Sequence, residues 1–441
     1  MCSGAMSGDG NTGTESGAMM GQIPADGSVD STLALVREGY RFIINRCQRL
    51  QSDVIQTRLL FQPVICMAGA EAAKVFYDND RFLRRGSAPA RLQKTLFGKG
   101  GVQGLDDAAH RWRKQMFLAL MTPAAIQRLA DLTAAQWSHA IVRWEGKRRV
   151  ILFDELQELL CRAVCQWAGV PLAEAEVAQR TRDLAALIES GGRIGPRYWQ
   201  GRAARARSER WASDIIERIR SGTLHVPEES AAHRIASYRN LDGTPLETRV
   251  AAVELINVLR PTVAVARYIV FAAVALHEHP HWRQQLHTDA DQELFVQEVR
   301  RYYPFFPFVA ARVRSTFEWR GYRFPKGRRV LLDLYGTNHD GQVWEQPDVF
   351  RPERFRTWDG SAYNFISQGG GEHLRHHRCP GEWLTIALMK VGLRALTTRM
   401  TYEVPRQDLR VSLTSIPTLP RSRFVIRKVR HRPSAAEARR M

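Results

Sequence analysis

The residues best suited to chemistry surround Cys379, in a segment that reads QGGGEHLRHHRCPGEW over positions 368–383. A run of glycines precedes the cysteine, and glycine lets a backbone pass close to a flat ligand, which is the role we expect for Gly371. Cationic and imidazole side chains then lead up to the sulfur: Arg375, His376, His377 and Arg378. Nearby positive charge lowers the pKa of a thiol and favours the thiolate, which is the form that binds metal.

A helix is predicted to begin just beyond Gly381, directly after the cysteine. The N-terminus of a helix presents backbone N–H donors and the positive end of its dipole. An anionic axial ligand of haem iron needs this environment, so we predict that Cys379 ligates iron and that Gly371 and Gly381 accommodate the haem. The alternative is a glycine-rich loop with an incidental cysteine, and the loop by itself leaves that alternative open.

Two further motifs precede the cysteine in the chain. EVRR places Glu298 and Arg301 three residues apart, on one face of a predicted helix, and RPERF supplies Arg354 beside a proline. A buried glutamate with two arginines is satisfied only if all three side chains meet. The order of these motifs resembles the cytochrome P450 superfamily over almost the whole folded chain. The resemblance implies a mainly α fold with small β-sheets, in which Glu298, Arg301 and Arg354 are structural.

The long central helix departs from ordinary P450 monooxygenases. The resemblance implies an acidic residue followed by threonine, which relay protons, but this chain has Arg260 and Pro261 at that point of AAVELINVLRPTVAVARYIVFAAVALHEHP. Proline removes one helical hydrogen bond near Asn257, so we expect the helix to open beside Arg260. A guanidinium there can hold a carboxylate with two hydrogen bonds. The alternative is a kinked core helix whose arginine reaches solvent.

An Arg-Pro pair at this point resembles the fatty-acid peroxygenase family of bacterial P450s. The resemblance implies thiolate-ligated haem b, hydrogen peroxide as oxidant and no redox partner. It also implies that long-chain fatty acids are hydroxylated at the α or β carbon, with some decarboxylation to terminal alkenes. The substrate carboxylate, held by Arg260, would serve as the acid–base group. The competing hypotheses are a reductase-dependent P450 monooxygenase and a non-enzymatic haem-binding or basic surface protein.

The same family resemblance extends to TLFGKGGVQGLDDAAHRWRKQMFLALM at positions 95–121. It implies that His110 and Lys114 face the haem propionates, and that Phe97 and Gln103 line the distal pocket. Relatives with histidine at the position of Gln103 lean towards decarboxylation, so glutamine implies hydroxylation. Phe306 is predicted to line the acyl channel with its neighbours in YYPFFPFV, Phe305 and Phe308, although core packing is an equal alternative for each.

The composition sets the broad class. The chain has 441 residues, 44% of them hydrophobic, with a formal net charge of +19 that comes mostly from scattered arginines. Because no nucleic-acid motif accompanies this charge, we interpret it as a basic surface plus buried arginines that face anionic groups. We predict no membrane-spanning helix and a cytoplasmic location. Cys161 and Cys165, one helical turn apart, are interpreted as buried free thiols.

The predicted organisation is a disordered leader at 1–27, one haem-thiolate domain at 28–429 and a basic tail at 430–441. Helical periodicity dominates from about 105 to 300, and short strands are expected on either side. Hairpins are predicted within WRGYRFPKG and the terminal segment LRVSLTSIPTLPRSRFVIRKV, and TRLLFQPVICMAG alternates in the manner of short strands with a Gly/Pro break.

Overall fold

The computed structural model describes residues 21–191 and 195–433, and helices form most of this part of the chain. The α-helices are α1 (Thr32–Glu38), α2 (Phe42–Leu50), α3 (Ala70–Phe76), α4 (Ala90–Leu92), α5 (Asp107–Leu120), α6 (Pro123–Glu145), α7 (Leu152–Ala168), α8 (Glu174–Glu189), α9 (Pro196–Arg220), α10 (Ala231–Ser237), α11 (Thr248–Ala264), α12 (Ala266–Glu278), α13 (Asp289–Tyr302), α14 (Leu334–Asn338) and α15 (Glu382–Arg394). Short 3₁₀ or π turns lie at Gly39–Arg41, Gln93–Phe97, Val102–Gly104, Pro280–Gln284, Pro352–Arg356 and Ala395–Arg399.

Strands from both ends of the chain combine into shared sheets. The strands are β1 (Val54–Leu59), β2 (Gln62–Met67), β3 (Phe82–Leu83), β4 (Val150–Ile151), β5 (Phe308–Val313), β6 (Phe317–Trp319), β7 (Tyr322–Phe324), β8 (Arg329–Asp333), β9 (Met400–Glu403) and β10 (Val425–His431). A five-stranded sheet has the order β1-β2-β8-β5-β3, and only its β2–β8 pair is parallel. The predicted hairpin β6–β7 is present, and the short strands expected in TRLLFQPVICMAG form part of the antiparallel pair β1–β2.

The predicted terminal hairpin is wrong. β10 pairs with β9 and with β4, and the segment before it forms only an isolated bridge between Val411 and Pro420. The apolar residues Ile426 and Val429 of β10 are fully buried in the main core. Burial of one strand face specifies the pairing, so β10 pairs with β4 and β9 beside that core rather than with the residues directly before it.

Helix α11 forms the centre of the main core. The stretch Thr248–Glu278 is the one segment of the described residues with the length and mean hydropathy of a membrane span, and 94% of its apolar window is buried inside the protein. Its apolar side chains pack against α7, α8 and α9, so α11 is a core helix that can hold polar side chains away from water.

The expected opening of α11 beside Arg260 does not occur. The helix continues through Pro261 to Ala264, and the interruption is a turn at Val265, which separates α11 from α12. The hydroxyl of Thr262 donates to the carbonyl of Val258 at 3.0 Å. Proline deprives the Asn257 carbonyl of its N–H partner, but dense packing around the helix keeps its path helical.

The N-terminal boundary was predicted too late. Gly21 and Ala25 form bridges with Tyr322 and Gln56, and the buried carboxylate of Asp26 accepts from the guanidinium of Arg46 at 3.0 Å. Residues 21–27 are therefore part of the fold rather than of a leader. Positions 1–20 of the predicted leader and 434–441 of the predicted tail lie outside the described residues.

Candidate active site

The loop that carries Cys379 is fixed by backbone hydrogen bonds and by α5. The Cys379 N–H donates to the carbonyl of Gln368 at 3.1 Å, and the Gly381 N–H donates to the cysteine sulfur. From α5, Lys114 donates through Nζ to the carbonyls of His376 and Arg378, the latter at 2.9 Å. Helix α15 begins directly after this loop, as predicted. The sulfur therefore lies at a helix N-terminus in a loop with little freedom to move.

The electrostatics around the sulfur differ from the expectation. Burial raises the pKa of the Cys379 thiol above its usual value, and the Gly381 N–H and then Lys114 and Arg300 act to lower it. The basic residues next to the cysteine in sequence point elsewhere. Arg378 pairs with Glu382 at 2.6 Å. The prediction that the basic residues adjacent in sequence supply the positive charge was wrong, because Lys114 of α5 and Arg300 of α13 supply it, whereas the predicted N–H donor just after the cysteine is present in Gly381.

Arg300 and Glu382 were missed by the sequence analysis. Arg300 is 1% exposed, donates to the Gln368 side chain at 3.1 Å and pairs with Glu382. Burial acts to raise the pKa of Glu382, but Arg300 and Arg378 hold that pKa below its usual value. The spacing of Arg378 and Glu382, four residues apart at a helix start, was the available signal. These ion pairs connect the Cys379 loop and the start of α15 to α13.

The structure brings the three predicted triad residues together. Arg301 donates to both carboxylate oxygens of Glu298 at 2.7 and 2.8 Å, and Arg354 Nε lies 3.3 Å from one of them. The Arg351 N–H adds a fourth donor at 2.8 Å. Glu298 is fully buried, so its charge is compensated without water. The triad joins α13 to the segment that leads to the Cys379 loop.

Arg260 points into the protein interior. It is 6% exposed, donates through Nη1 to the carbonyl of Leu96 and through Nη2 to the side-chain oxygen of Asn257 at 3.2 Å. Burial and then the charge of Arg205 lower the pKa of Arg260, to about 9, against the charges of Cys379 and Glu254, which raise it. The guanidinium therefore stays charged at neutral pH. No carboxylate of the described residues forms an ion pair with it, and the alternative of a solvent-facing arginine is excluded.

A buried polar network connects Arg260 to the loop before α5. Asn257 donates through Nδ2 to Glu254 at 2.9 Å and to Gln103 Oε1 at 3.3 Å. Arg113 completes the network with a 2.8 Å ion pair to Glu254. The predicted residues Gln103 and Arg260 thus lie close together, on either side of the Asn257 side chain. Positions 254, 257 and 260 of α11 repeat every three residues, and this polar face was a signal that the sequence analysis did not use.

The predicted aromatic lining is only partly brought together. Phe97 and Phe305 pack on a small apolar cluster made of Leu96, Ile188 and Ala264. Phe306 is 37% exposed and contacts Phe305 edge-on with ring centroids 4.8 Å apart, while Phe308 packs in the separate cluster beside β8. The cluster lies next to Arg260 through Leu96 and Ala264. The structure therefore favours Phe305 over Phe306 as the partner of Phe97.

His110 and Lys114 lie against the Cys379 loop. The ring of His110 stacks on His377 at 3.7 Å, and burial, followed by the charge of Lys114, lowers the pKa of His110 to about 3. His110 is therefore neutral. Gly371 has a φ of 82°, and a Cβ there would lie 2.6 Å from His376 Nδ1, so packing within the loop also requires this glycine. Contacts of these residues with a haem remain predictions.

Comparison with known proteins identifies the family. A family model described as Cytochrome P450 matches residues 293–425, which include Glu298, Arg301, Arg354 and Cys379. Cytochrome P450 71D18 of Mentha gracilis is 31% identical over 130 residues, and the match spans 28% of this chain and only 25% of that protein. Cytochrome P450 26A1 of Gallus gallus is 23% identical over 400 residues, which cover 82% of this chain and 80% of the relative.

Solved structures give longer and closer matches. Cytochrome P450SP alpha (CYP152B1), in complex with (R)-ibuprophen, is 50% identical with a TM-score of 0.90, and the match covers 91% of this chain and 99% of that one. This chain belongs to the CYP152 family of P450 fatty-acid peroxygenases. Cytochrome P450EX alpha (CYP152N1) with myristic acid is 45% identical with a TM-score of 0.91, covering 93% and 99% of the two chains. The predicted family and fold are confirmed.

A P450 enzyme carries haem, and the residues around Cys379 fit that group. Among the described residues no set of three or more His, Cys, Asp or Glu side chains could hold a metal ion. The Cys379 sulfur lies at a helix N-terminus with an N–H donor from Gly381 and two cations nearby, so it would suit a thiolate ligand of haem iron.

Proposed function

We propose that this protein uses hydrogen peroxide to hydroxylate long-chain fatty acids at the α or β carbon, with some decarboxylation to terminal alkenes. The observation that carries the proposal is Arg260, a buried guanidinium without a carboxylate partner among the described residues, close enough to Cys379 to interact with its charge. Solved relatives are described with myristic acid and with arachidonic acid. When bound, haem b with Cys379 as its ligand supplies the centre at which peroxide is split and oxygen is activated.

The residues of this chain then position the substrate. Arg260 holds the carboxylate through two N–H groups, which limits the carbons within reach to those next to the head group. The held carboxylate can exchange a proton with peroxide, the task that an acidic side chain performs in P450 monooxygenases. Phe97 and Phe305 contact the start of the acyl chain, while Phe306 lies further out. Pro261 keeps this segment of α11 free of one backbone hydrogen bond.

Other predicted roles remain part of the proposal. His110 and Lys114 approach the haem propionates, and Lys114, which gives two of its three N–H donors to loop carbonyls, keeps the third for a propionate. Glu298, Arg301 and Arg354 stabilise the fold by joining α13 to the segment that leads to the Cys379 loop. No reductase partner is required, and the cytoplasmic location stays a prediction from the sequence.

Product analysis with peroxide as the only oxidant tests the proposal. The haem-loaded protein, given hydrogen peroxide and myristic acid, should form α- or β-hydroxy acid measured by mass spectrometry. The methyl ester of the same acid, which has no anionic head group, is the matched control and should be left unchanged. Turnover that needs a reductase and NAD(P)H and does not respond to peroxide would instead establish the monooxygenase alternative.

Substituting Gln103 should change the ratio of products. Gln103 lies one hydrogen bond from Asn257, which contacts Arg260, so it is near the proposed head-group site. In Gln103→His, an imidazole that can exchange protons replaces a neutral amide, and we expect a larger alkene fraction. Gln103→Asn, which keeps the amide, is the control. An identical ratio of alkene to hydroxy acid in Gln103→His and the unaltered protein would remove this residue from the mechanism.

A further inference from the structure

A second buried guanidinium lies beside Arg260. Arg205 of α9 is 4% exposed, and its Nη1 lies 3.4 Å from the carbonyl of Leu96, the same oxygen to which Arg260 donates. Two cations from different helices therefore converge on one neutral acceptor. Arg205 also pairs with Glu209 through Nε at 2.6 Å, which leaves its two terminal nitrogens directed towards the site.

No carboxylate of the described residues forms an ion pair with both guanidinium groups, and Glu254 acts on the two only through its charge. Burial lowers the pKa of Arg205, and the charge of Arg205 lowers that of Arg260. The Nη2 of Arg205 is buried and has no hydrogen-bond partner among the described residues. Like charges close together in a poorly solvated interior repel each other, and an anion placed between them would remove that cost and satisfy the free N–H groups.

The chain makes room for Arg205 at Gly98. A Cβ at this position would lie 2.0 Å from Arg205 Nη2, and the φ of Gly98 is 82°, so only glycine fits without displacement. The segment Leu96–Gly98 therefore passes between the two guanidinium groups, and it carries Phe97, which we propose contacts the acyl chain. Both cations thus lie at the head-group end of the proposed substrate site.

We propose that Arg205 is a second carboxylate-binding residue, and that the head group of the fatty acid replaces the Leu96 carbonyl as the acceptor shared by Arg205 and Arg260. This inference rests on the proposed function. It assigns the carboxylate two guanidinium partners, one from α11 and one from α9. Glu209 then acts against binding, because its carboxylate competes with the substrate for the charge of Arg205.

Three variants of the haem-loaded protein test the inference through the dissociation constant for myristic acid, measured by the change in haem absorption on titration. Arg205→Gln should weaken acid binding by about tenfold, because one charge-assisted partner is lost. Glu209→Gln should tighten binding of the acid. Arg249→Gln is the matched control, because Arg249 lies 3.6 Å from the same Glu209 but is 56% exposed, and its variant should bind the acid normally.

Binding of the methyl ester separates charge recognition from structural damage. A purely structural role for Arg205 would weaken acid and ester alike, whereas the inference requires that only acid binding falls in Arg205→Gln. If Arg205→Gln does not fold, Glu209→Gln provides the test. Unchanged or weaker binding of myristic acid to Glu209→Gln overturns the inference. Normal acid binding in Arg205→Gln together with loss in Arg260→Ala would refute the role of Arg205 alone. Normal binding in both variants would overturn the proposed function as well.

Discussion

Replacing Cys379 with alanine should abolish the haem-thiolate absorption spectrum and reduce peroxide-dependent oxidation to background. The sulfur is held at the start of α15 by the Gly381 N–H, and none of the other described cysteines lies in a comparable loop. Without the thiolate, the iron loses the electron-rich ligand on which oxygen activation by P450 enzymes depends. The measurement is the absorption band of the reduced protein with carbon monoxide, together with product formation from myristic acid.

Cys161→Ala provides the matched control for this prediction. Cys161 is a fully buried free thiol on α7, within the main core, so its replacement removes a cysteine without touching the proposed haem site. Its variant should keep the thiolate-type carbon monoxide band. A thermal melt of Cys379→Ala should confirm that the chain still folds. Persistence of the thiolate band in Cys379→Ala would disprove the assignment of the ligand.

Replacing Arg260 with alanine should remove fatty-acid oxidation while leaving the thiolate spectrum unchanged. The side chain is buried and its charge has no carboxylate partner among the described residues, so the substrate head group would lose its anchor. Loss of a buried charge pair costs about 2–5 kcal/mol, which corresponds to a decrease in kcat/KM of about 30-fold to 5,000-fold. The measurement is initial rates with peroxide over a range of myristic acid concentrations.

A neutral substrate gives this prediction an internal control. A short carboxylic acid added to the unaltered protein should permit some peroxide-dependent oxidation of a neutral compound, because it supplies the missing carboxylate at Arg260. The same addition should have no effect on Arg260→Ala. Arg260→Lys, which keeps the charge but not the planar pair of donors, should retain partial activity. Kinetics in Arg260→Ala that match those of the unaltered protein would refute the anchor.

Motifs with fixed local spacing were predictable from the sequence. Cys379 and the EVRR and RPERF motifs are recognisable because each combines residue types whose chemistry is local. Arg205 was not, because α9 contains several arginines in RAARARSER and no pattern distinguishes the buried one from those in solvent. Only the packing of α9 against α11 and the glycine at position 98 reveals its environment.

The pairing of strands that are distant in the chain was the other feature of the fold that could not be predicted from the sequence. β2 pairs in parallel with β8, so that Ile65 lies opposite Val330, and no local signal links such distant segments. β10 was misassigned in part for the same reason, since its partner β4 lies far from it in the chain and its other partner, β9, lies before the predicted hairpin segment. The unbroken path of α11 through Pro261 likewise depends on the helices packed around it.

Consecutive residues of α5 reach towards opposite sides of the proposed haem site. Lys114 holds the carbonyls of the Cys379 loop, whereas Arg113 holds Glu254, which positions Asn257 beside Arg260. One rigid helix therefore sets the separation between the proposed iron ligand, Cys379, and the proposed carboxylate-binding residue, Arg260. Oxidation should consequently fall at the same carbon, counted from the acid group, for long and short fatty acids alike, with differences in length taken up at the methyl end.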